Sequence, residues 1–280
     1  FGKIDSPSFE IIKQNSPNLI DKNYLPNYTA GLTFFIAVAA TNLFHQGNWQ
    51  RVFSAKNNRI LKSSLIYSSL ITFIIVFWMG YTGLLSLSLN SKVIPDLAFF
   101  DLLLDKKNSA VVIAILILAM SLTLSTIDTL INAISSLIII DGKFVNKSLS
   151  GKEVKNKANI IILLLSVLVF ILASKGFSIL YLFLLADLLC CAAVITIFYG
   201  FFNKKINTKL ASNTIFIGLF SGLLFFPSPN FQSSILVGNL ISIEYFTPLI
   251  TANLLFLSFA ISIIIPLIII SIYSLRNSFK

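Results

Sequence analysis

Long apolar runs separated by short polar segments constrain this chain more than any other feature. The runs span approximately Ala30–Trp49, Ser63–Leu89, Ala110–Ile140, Ala158–Ala173, Ile179–Phe202, Leu210–Phe226 and Leu249–Leu275. A helix needs roughly 20 residues to cross the hydrocarbon of a bilayer. Only structures that satisfy their own backbone N–H and C=O groups persist there. The pattern predicts an all-α polytopic membrane protein with about seven transmembrane helices. The first and fourth runs are short and polar at their ends, the third is long enough to tilt or project, and Pro266 is placed to kink the last. Composition agrees: 56% of the 280 residues are apolar, 11% are charged, and the mean hydropathy is +0.88. A soluble domain would carry about a quarter charged residues, so a lipid bilayer is the expected partner of much of the surface.

The net charge of +10 does not mark a nucleic-acid surface, because the basic residues fall in short loops rather than along one face. No nucleic-acid partner is expected. Their distribution instead orients the chain through the positive-inside rule. Arg51, Lys56, Arg59 and Lys62 follow the first span, Lys143, Lys147, Lys152, Lys155 and Lys157 follow the third, and Lys204, Lys205 and Lys209 follow the fifth. Arg276 and Lys280 end the chain, while Lys92, Lys106 and Lys107 are balanced by Asp96, Asp101 and Asp105 in an intervening loop. Every second loop is basic, which places the N-terminal segment outside and the C-terminus in the cytoplasm. Ser234–Ile243, interrupted by Gly238 and Asn239, reads as an interfacial or re-entrant piece of an outer loop. Pro95–Leu104 reads as a short amphipathic helix with Leu97, Phe100, Leu103 and Leu104 on one side.

Ionisable and polar groups inside a span are costly and point to function. In the third run Ser121, Ser125, Asp128, Asn132 and Ser136 recur at spacings that share one helical face. Thr129 flanks this stripe, and Thr126 points toward a neighbouring side. Hydroxyls and a carboxylate are hard oxygen ligands suited to a small cation such as sodium. Two other readings stand beside that one. Ser and Thr can satisfy backbone carbonyls or glue helices together, and Asp128 can carry a proton if burial raises its pKa. Asp187 has no polar partner within a turn, so it requires one on another helix or a proton; a structural bond and a place on a solute pathway are both open. Thr41 and Asn42 lie deep in the first run and are candidates to line the pathway, whereas His45 near its end reads as interfacial packing. Cys190 and Cys191 are adjacent and read as two small apolar residues, with the spacing of neither a metal site nor a redox pair. The chain carries no Walker motif, G-x-S-x-G elbow or His/Cys cluster; nothing in it argues for an enzyme or a cofactor.

Two segments resemble the sodium/solute symporter family. ATNLFHQGNWQRVFSAKN (Ala40–Asn57) is similar to that family's helix ending in Gln-Arg before an Ala-Lys segment, and LSTIDTLINAISSLIIID (Leu124–Asp141) to its Ser-Thr-x-Asp-Ser helix. The first motif and YLFLLADLLCCAAV resemble most the urea-transporter-like branch. The resemblance implies a LeuT-type fold, with two inverted five-helix repeats around midplane binding sites. Residues 30–202 would be the second repeat, residues 203–280 two peripheral helices, and residues 1–29 an extracytoplasmic segment. The first repeat would be missing, so the chain is expected to be a C-terminal portion whose partners include the N-terminal helices of the same transporter. The family's principal sodium site falls on Ser125 and Thr126, with the carbonyl of Leu122. A second cation site falls on Asp128 and Thr129, where other members have serines. Val38 and Thr41 replace the Asn and Tyr of sugar-transporting members, which argues against a sugar.

These features together lead to sodium-coupled symport of a small polar organic solute, with sodium as the coupling ion, in a bacterial inner (plasma) membrane. Thr41, Asn42 and Asp187 are the candidates for the substrate pathway. The alternatives are a membrane sensor derived from a symporter and a proton-translocating subunit built on Asp128 and Asp187.

Overall fold

A computed structural model of the chain describes residues 9–89, 97–104, 109–145, 151–203, 206–240 and 248–278. Its first helices are α1 (Phe9–Asn15), α2 (Pro17–Ile20), α3 (Leu25–Phe44), α4 (Gln46–Ser54), α5 (Asn58–Leu89) and α6 (Ala98–Leu104). They are followed by α7 (Ser109–Val145), α8 (Gly151–Ala173), α9 (Ile179–Phe202) and α10 (Thr208–Phe225). A π-helical turn at Leu236–Leu240, α11 (Pro248–Ala252) and α12 (Leu254–Ser278) complete the described elements. The molecule is an all-α polytopic membrane protein. Among the described residues six helices, α5, α7, α8, α9, α10 and α12, are long and apolar enough to cross a bilayer.

The seventh expected span differs in an instructive way. It was placed at Ala30–Trp49, but the helix there ends at Phe44 and a separate helix begins at Gln46. His45 adopts an extended conformation (φ −72°, ψ 104°) between them. Asn42, Gly47 and Asn48, all weak helix formers, surround the break. The resulting α3 has 20 residues, enough to span, yet Asn27, Thr29, Thr33, Thr41 and Asn42 dilute its apolar character. The last expected span also begins later, since Asn253 separates α11 from α12. Of the amphipathic Pro95–Leu104 stretch, Ala98–Leu104 is helical, and Pro95 and Asp96 lie outside the described residues. Only the first part of Ser234–Ile243 is described, as the π-helical turn. Lys92, Lys106, Lys107, Lys147, Lys204, Lys205 and Lys280, and the acids Asp96 and Asp105, also lie outside.

The chain divides into two units, one holding α1, α2 and α4–α8, the other α3 and α9–α12. In the first unit α7 packs along α8, and α4 lies on α7. Val154 and Ala158 are the buried residues of α8, and a Cβ at Gly142 of α7 would meet Val154 Cγ1 at 3.4 Å. Ile12 of α1 is fully buried, with α1 against α5. Otherwise the unit is thinly packed. The most apolar stretches of α5 and α8 bury almost none of their residues, and that of α7 buries none.

The second unit is built by close helix contact. Its core holds Ala37 and Ala40 of α3, Leu184, Leu188 and Cys191 of α9, Phe226 after α10, and Phe259 of α12. Helices α10 and α12 meet through small residues, Thr214, Gly218 and Gly222 on one side and Ser258 and Ser262 on the other, all buried. A Cβ at Gly222 would sit 2.9 Å from Ser262 Cβ and 3.0 Å from the Ser258 carbonyl oxygen. At Gly218 it would sit 2.5 Å from the Pro266 ring. Removing side-chain bulk lets the backbones approach, the usual basis of helix association where lipid supplies no hydrophobic drive. Ser258 Oγ donates to the Gly222 carbonyl at 2.7 Å across the contact. Pro266 lies inside α12; lacking an N–H, it frees the Ser262 carbonyl, which lies 3.0 Å from the Cβ position of Gly218. The Gly-x-x-x-Gly spacing was available in the sequence as a signal for this contact.

Replacing Gly218 with Leu is expected to lower stability by about 1–3 kcal/mol through overpacking against Pro266, read as a fall in Tm of the full-length protein in detergent. An unchanged Tm would place the α10–α12 contact elsewhere. Cys191 is fully buried and Cys190 half-buried. A membrane-permeant maleimide should therefore label Cys190 first in single-cysteine variants of the folded protein, and equal rates would contradict the packing of α9.

Candidate functional site

Helix α7 carries the polar stripe in a 37-residue helix that is otherwise mostly Leu, Ile, Val, Ala and Met. Its hydroxyls turn back onto their own helix. Ser121 donates to the Ile117 carbonyl at 2.8 Å, Thr126 to that of Leu122 at 2.9 Å, and Thr129 to that of Ser125 at 2.9 Å. This is the bland arrangement by which a Ser or Thr satisfies itself in an apolar helix. It also brings two of the candidate ligands, the Thr126 hydroxyl and the Leu122 carbonyl, within 2.9 Å of one another. The Thr126 hydroxyl keeps its acceptor lone pairs; the Leu122 carbonyl accepts both the helical N–H and the hydroxyl of Thr126, so an ion bound there displaces the hydroxyl's hydrogen bond.

The structure separates the stripe into a covered and an uncovered half. Gln50 of α4 donates from Nε2 to Ser136 Oγ at 3.0 Å, and Ser136 in turn donates to the Ala133 carbonyl at 2.9 Å. A Cβ at Gly47 would approach Thr129 Cγ2 at 3.9 Å and the His45 ring at 2.9 Å, so the absence of a side chain at Gly47 makes room for His45. The helix following the His45 break thus lies along Thr129–Ser136. Ser125, Thr126, Asp128 and Asn132 remain exposed, as does Leu122.

Thr41 and Asp187 come together in the second unit. Asp187, on α9, is only 7% exposed. It needed a partner from another helix, and Thr41 of α3 supplies it by donating from Oγ1 to Asp187 Oδ1. The Cys190 thiol lies within hydrogen-bonding reach of the same Thr41, and the Cys191 thiol is 4.0 Å from the Ile36 carbonyl. Asn42 does not join the pair; it is exposed and donates from Nδ2 to the Val38 carbonyl at 2.8 Å.

Sequence reasoning missed the N-terminal end of α3. Thr29 donates to Asn253 Oδ1, in the break before α12, and Thr33 donates to the Thr29 carbonyl at 2.7 Å. These groups border a cavity of about 200 Å³ with Pro26, Pro227 and Phe231. A second cavity of about 390 Å³ lies against Tyr181, Phe226, Ser233 and Asn239. Asp187 lines neither. The four-residue spacing of Thr29, Thr33, Ala37 and Thr41 was the signal that α3 turns one polar edge inward. Among the described residues no group of three or more His, Cys, Asp or Glu side chains is placed to hold a metal ion.

No family model matches the chain, and no solved structure matches it. Among curated proteins, the spermidine transporter DUR31 of Candida albicans is 29% identical over 170 residues, which is 59% of this chain and 32% of that protein. The chain therefore spans about a third of the length of this relative. What the fold and the comparison establish together is a helical, polytopic membrane protein similar in part to a membrane transporter.

Proposed function

We propose that this chain is part of a secondary transporter that moves a small polar organic solute across a membrane by alternating access, driven by sodium. The observation that carries the reading is the uncovered half of the α7 stripe. Lipid solvates Leu and Ile but not a row of Ser, Thr, Asp and Asn, so this face requires protein or water opposite it. Further helices of the same protein, the remaining part of the length seen in the relative, are the partner that fits. They would bring the other ligands of a cation held by Ser125, Thr126 and the Leu122 carbonyl, with Asp128 and Thr129 as a second cation site. Thr41 and Asp187, joined by a hydrogen bond, would belong to the solute pathway with Asn42.

The relative's name makes spermidine and related amines the first solutes to test, beside neutral ones. The relative is fungal and lends no support to a bacterial inner membrane. The basic loops support a C-terminus on the cytosolic side. Coupling requires sodium to favour one conformation over another, since equal affinity for both shifts nothing.

In the full-length protein, Ser125→Ala and Thr126→Ala should each raise the sodium concentration for half-maximal uptake by about ten-fold, the loss of one hydrogen-bond-strength ligand to a charged group. Radiolabelled solute uptake against a sodium series measures it. Uptake with the wild-type sodium dependence in both variants would remove α7 from the ion site. Uptake in the wild type that needs no sodium would remove sodium coupling altogether.

A further inference from the structure

We propose that Asp187, together with Thr41, seats an alkylammonium group of the transported solute. The inference rests on the transport reading above and gives that pathway a substrate class.

The starting point is a buried carboxyl group with one donor. Asp187 is 7% exposed, and a carboxylate in such a place is retained only with a proton, a cation or several donors. Thr41 Oγ1 is the donor it has. Among the described residues no basic side chain forms an ion pair with it. Lys22, Lys209 and Arg276, the described basic residues of its unit, sit before α3, in the first turn of α10 and in the last turn of α12. The Cys190 and Cys191 thiols, one turn along α9, supply no positive charge. The described residues therefore give Asp187 one donor and no counter-ion.

The composition of the surroundings decides which cation fits. A metal ion of the hard class asks for about six oxygens around it. Asp187 and Thr41 bring their side-chain oxygens together, and their near neighbours along the two helices are apolar: Ala37 and Ala40 on α3, Leu184, Leu188, Cys190 and Cys191 on α9. An alkylammonium asks for less. It has at most three N–H donors, which the carboxylate and a rotated Thr41 hydroxyl can accept, and its methylene stem favours the apolar flank. Thr41 is half-buried, so the pair lies near the surface of the unit.

The test uses the full-length protein in proteoliposomes and radiolabelled butane-1,4-diamine, with n-butylammonium and butane-1,4-diol as competitors and urea as a neutral solute. The wild type should take up the diamine, with inhibition by n-butylammonium and none by the diol. Asp187→Asn should raise the KM for the diamine about ten-fold or more, the loss expected for a charged hydrogen-bonded contact, with the sodium-activation curve unchanged. Asp187→Glu should recover part of the loss. If Asp187→Asn does not fold, Thr41→Val keeps the carboxylate and should still raise the diamine KM several-fold by removing one acceptor. Wild-type diamine KM in both variants overturns the proposal. So does a variant whose diamine KM is unchanged while uptake loses its pH dependence, because Asp187 would then be a proton carrier. A wild type that moves urea with sodium but no amine overturns the ammonium site and leaves the transport reading standing; one that moves neither removes both.

Discussion

A polar group in the hydrocarbon of a bilayer has no water to bond with, and the rest of this structure follows from how each such group finds a partner. Backbone groups are satisfied by long helices. Ser and Thr have a donor, so they turn it on the carbonyl three or four residues back, as Ser121, Thr126, Ser166 and Ser221 do. Asn42 does the same with its amide. A carboxylate cannot follow this route, because it only accepts and the helix has already used its N–H groups. Asp187 must therefore take a donor from another helix, and the contact with Thr41 ties α9 to α3 at a fixed register.

The same constraint separates the two units. In the second, protein meets several polar groups, Ser258 by the Gly222 carbonyl, Asp187 by Thr41, Asn253 by Thr29, while the buried Thr196 and Thr214 hydroxyls have no partner among the described residues. Small residues at Gly218, Gly222, Ser258 and Ser262 make those meetings possible by bringing backbones close. In the first, α5, α7 and α8 leave their apolar surface almost entirely uncovered. For Leu65, Phe73 or Leu163 that is no cost, since lipid is as apolar as they are. For Asp128 and Asn132 it is a cost, and it falls on α7 alone among the three.

The sequence was most readable where its period was long. Six of the expected spans appear as helices with nearly the expected limits, because apolar length needs no tertiary information. The limits failed where polar residues dilute the pattern. The first run was carried through His45, although Asn42, Gly47 and Asn48 weaken the helix there, and the last run was carried through Asn253. At the level of sites, Asp187 was recognisable as a group in need of a partner, but the partner lies 146 residues away, and no local spacing points to it. The stripe on α7 was legible as a stripe. That α4 covers its Ser136 end depended on a break between α3 and α4 that the apolar pattern conceals.

Self-bonding on α7 and a role in ion binding are often set against each other, yet in the proposed transporter the first would prepare the second. A hydroxyl held against the carbonyl of the preceding turn places two oxygens side by side on a rigid element, at the cost of one weak hydrogen bond that an ion must replace. What one helix cannot provide is the remaining ligands, which must lie on another element. That incompleteness is what coupling demands. A site formed wholly by α7 would bind its ion equally in every conformation and shift none of them. A site shared with a helix that moves relative to α7 exists in only one arrangement, and the ion then favours that arrangement by its own binding free energy. The exposed Ser125–Asp128 segment has the chemistry of such a half-site: oxygens enough to hold an ion in place, too few to hold it alone.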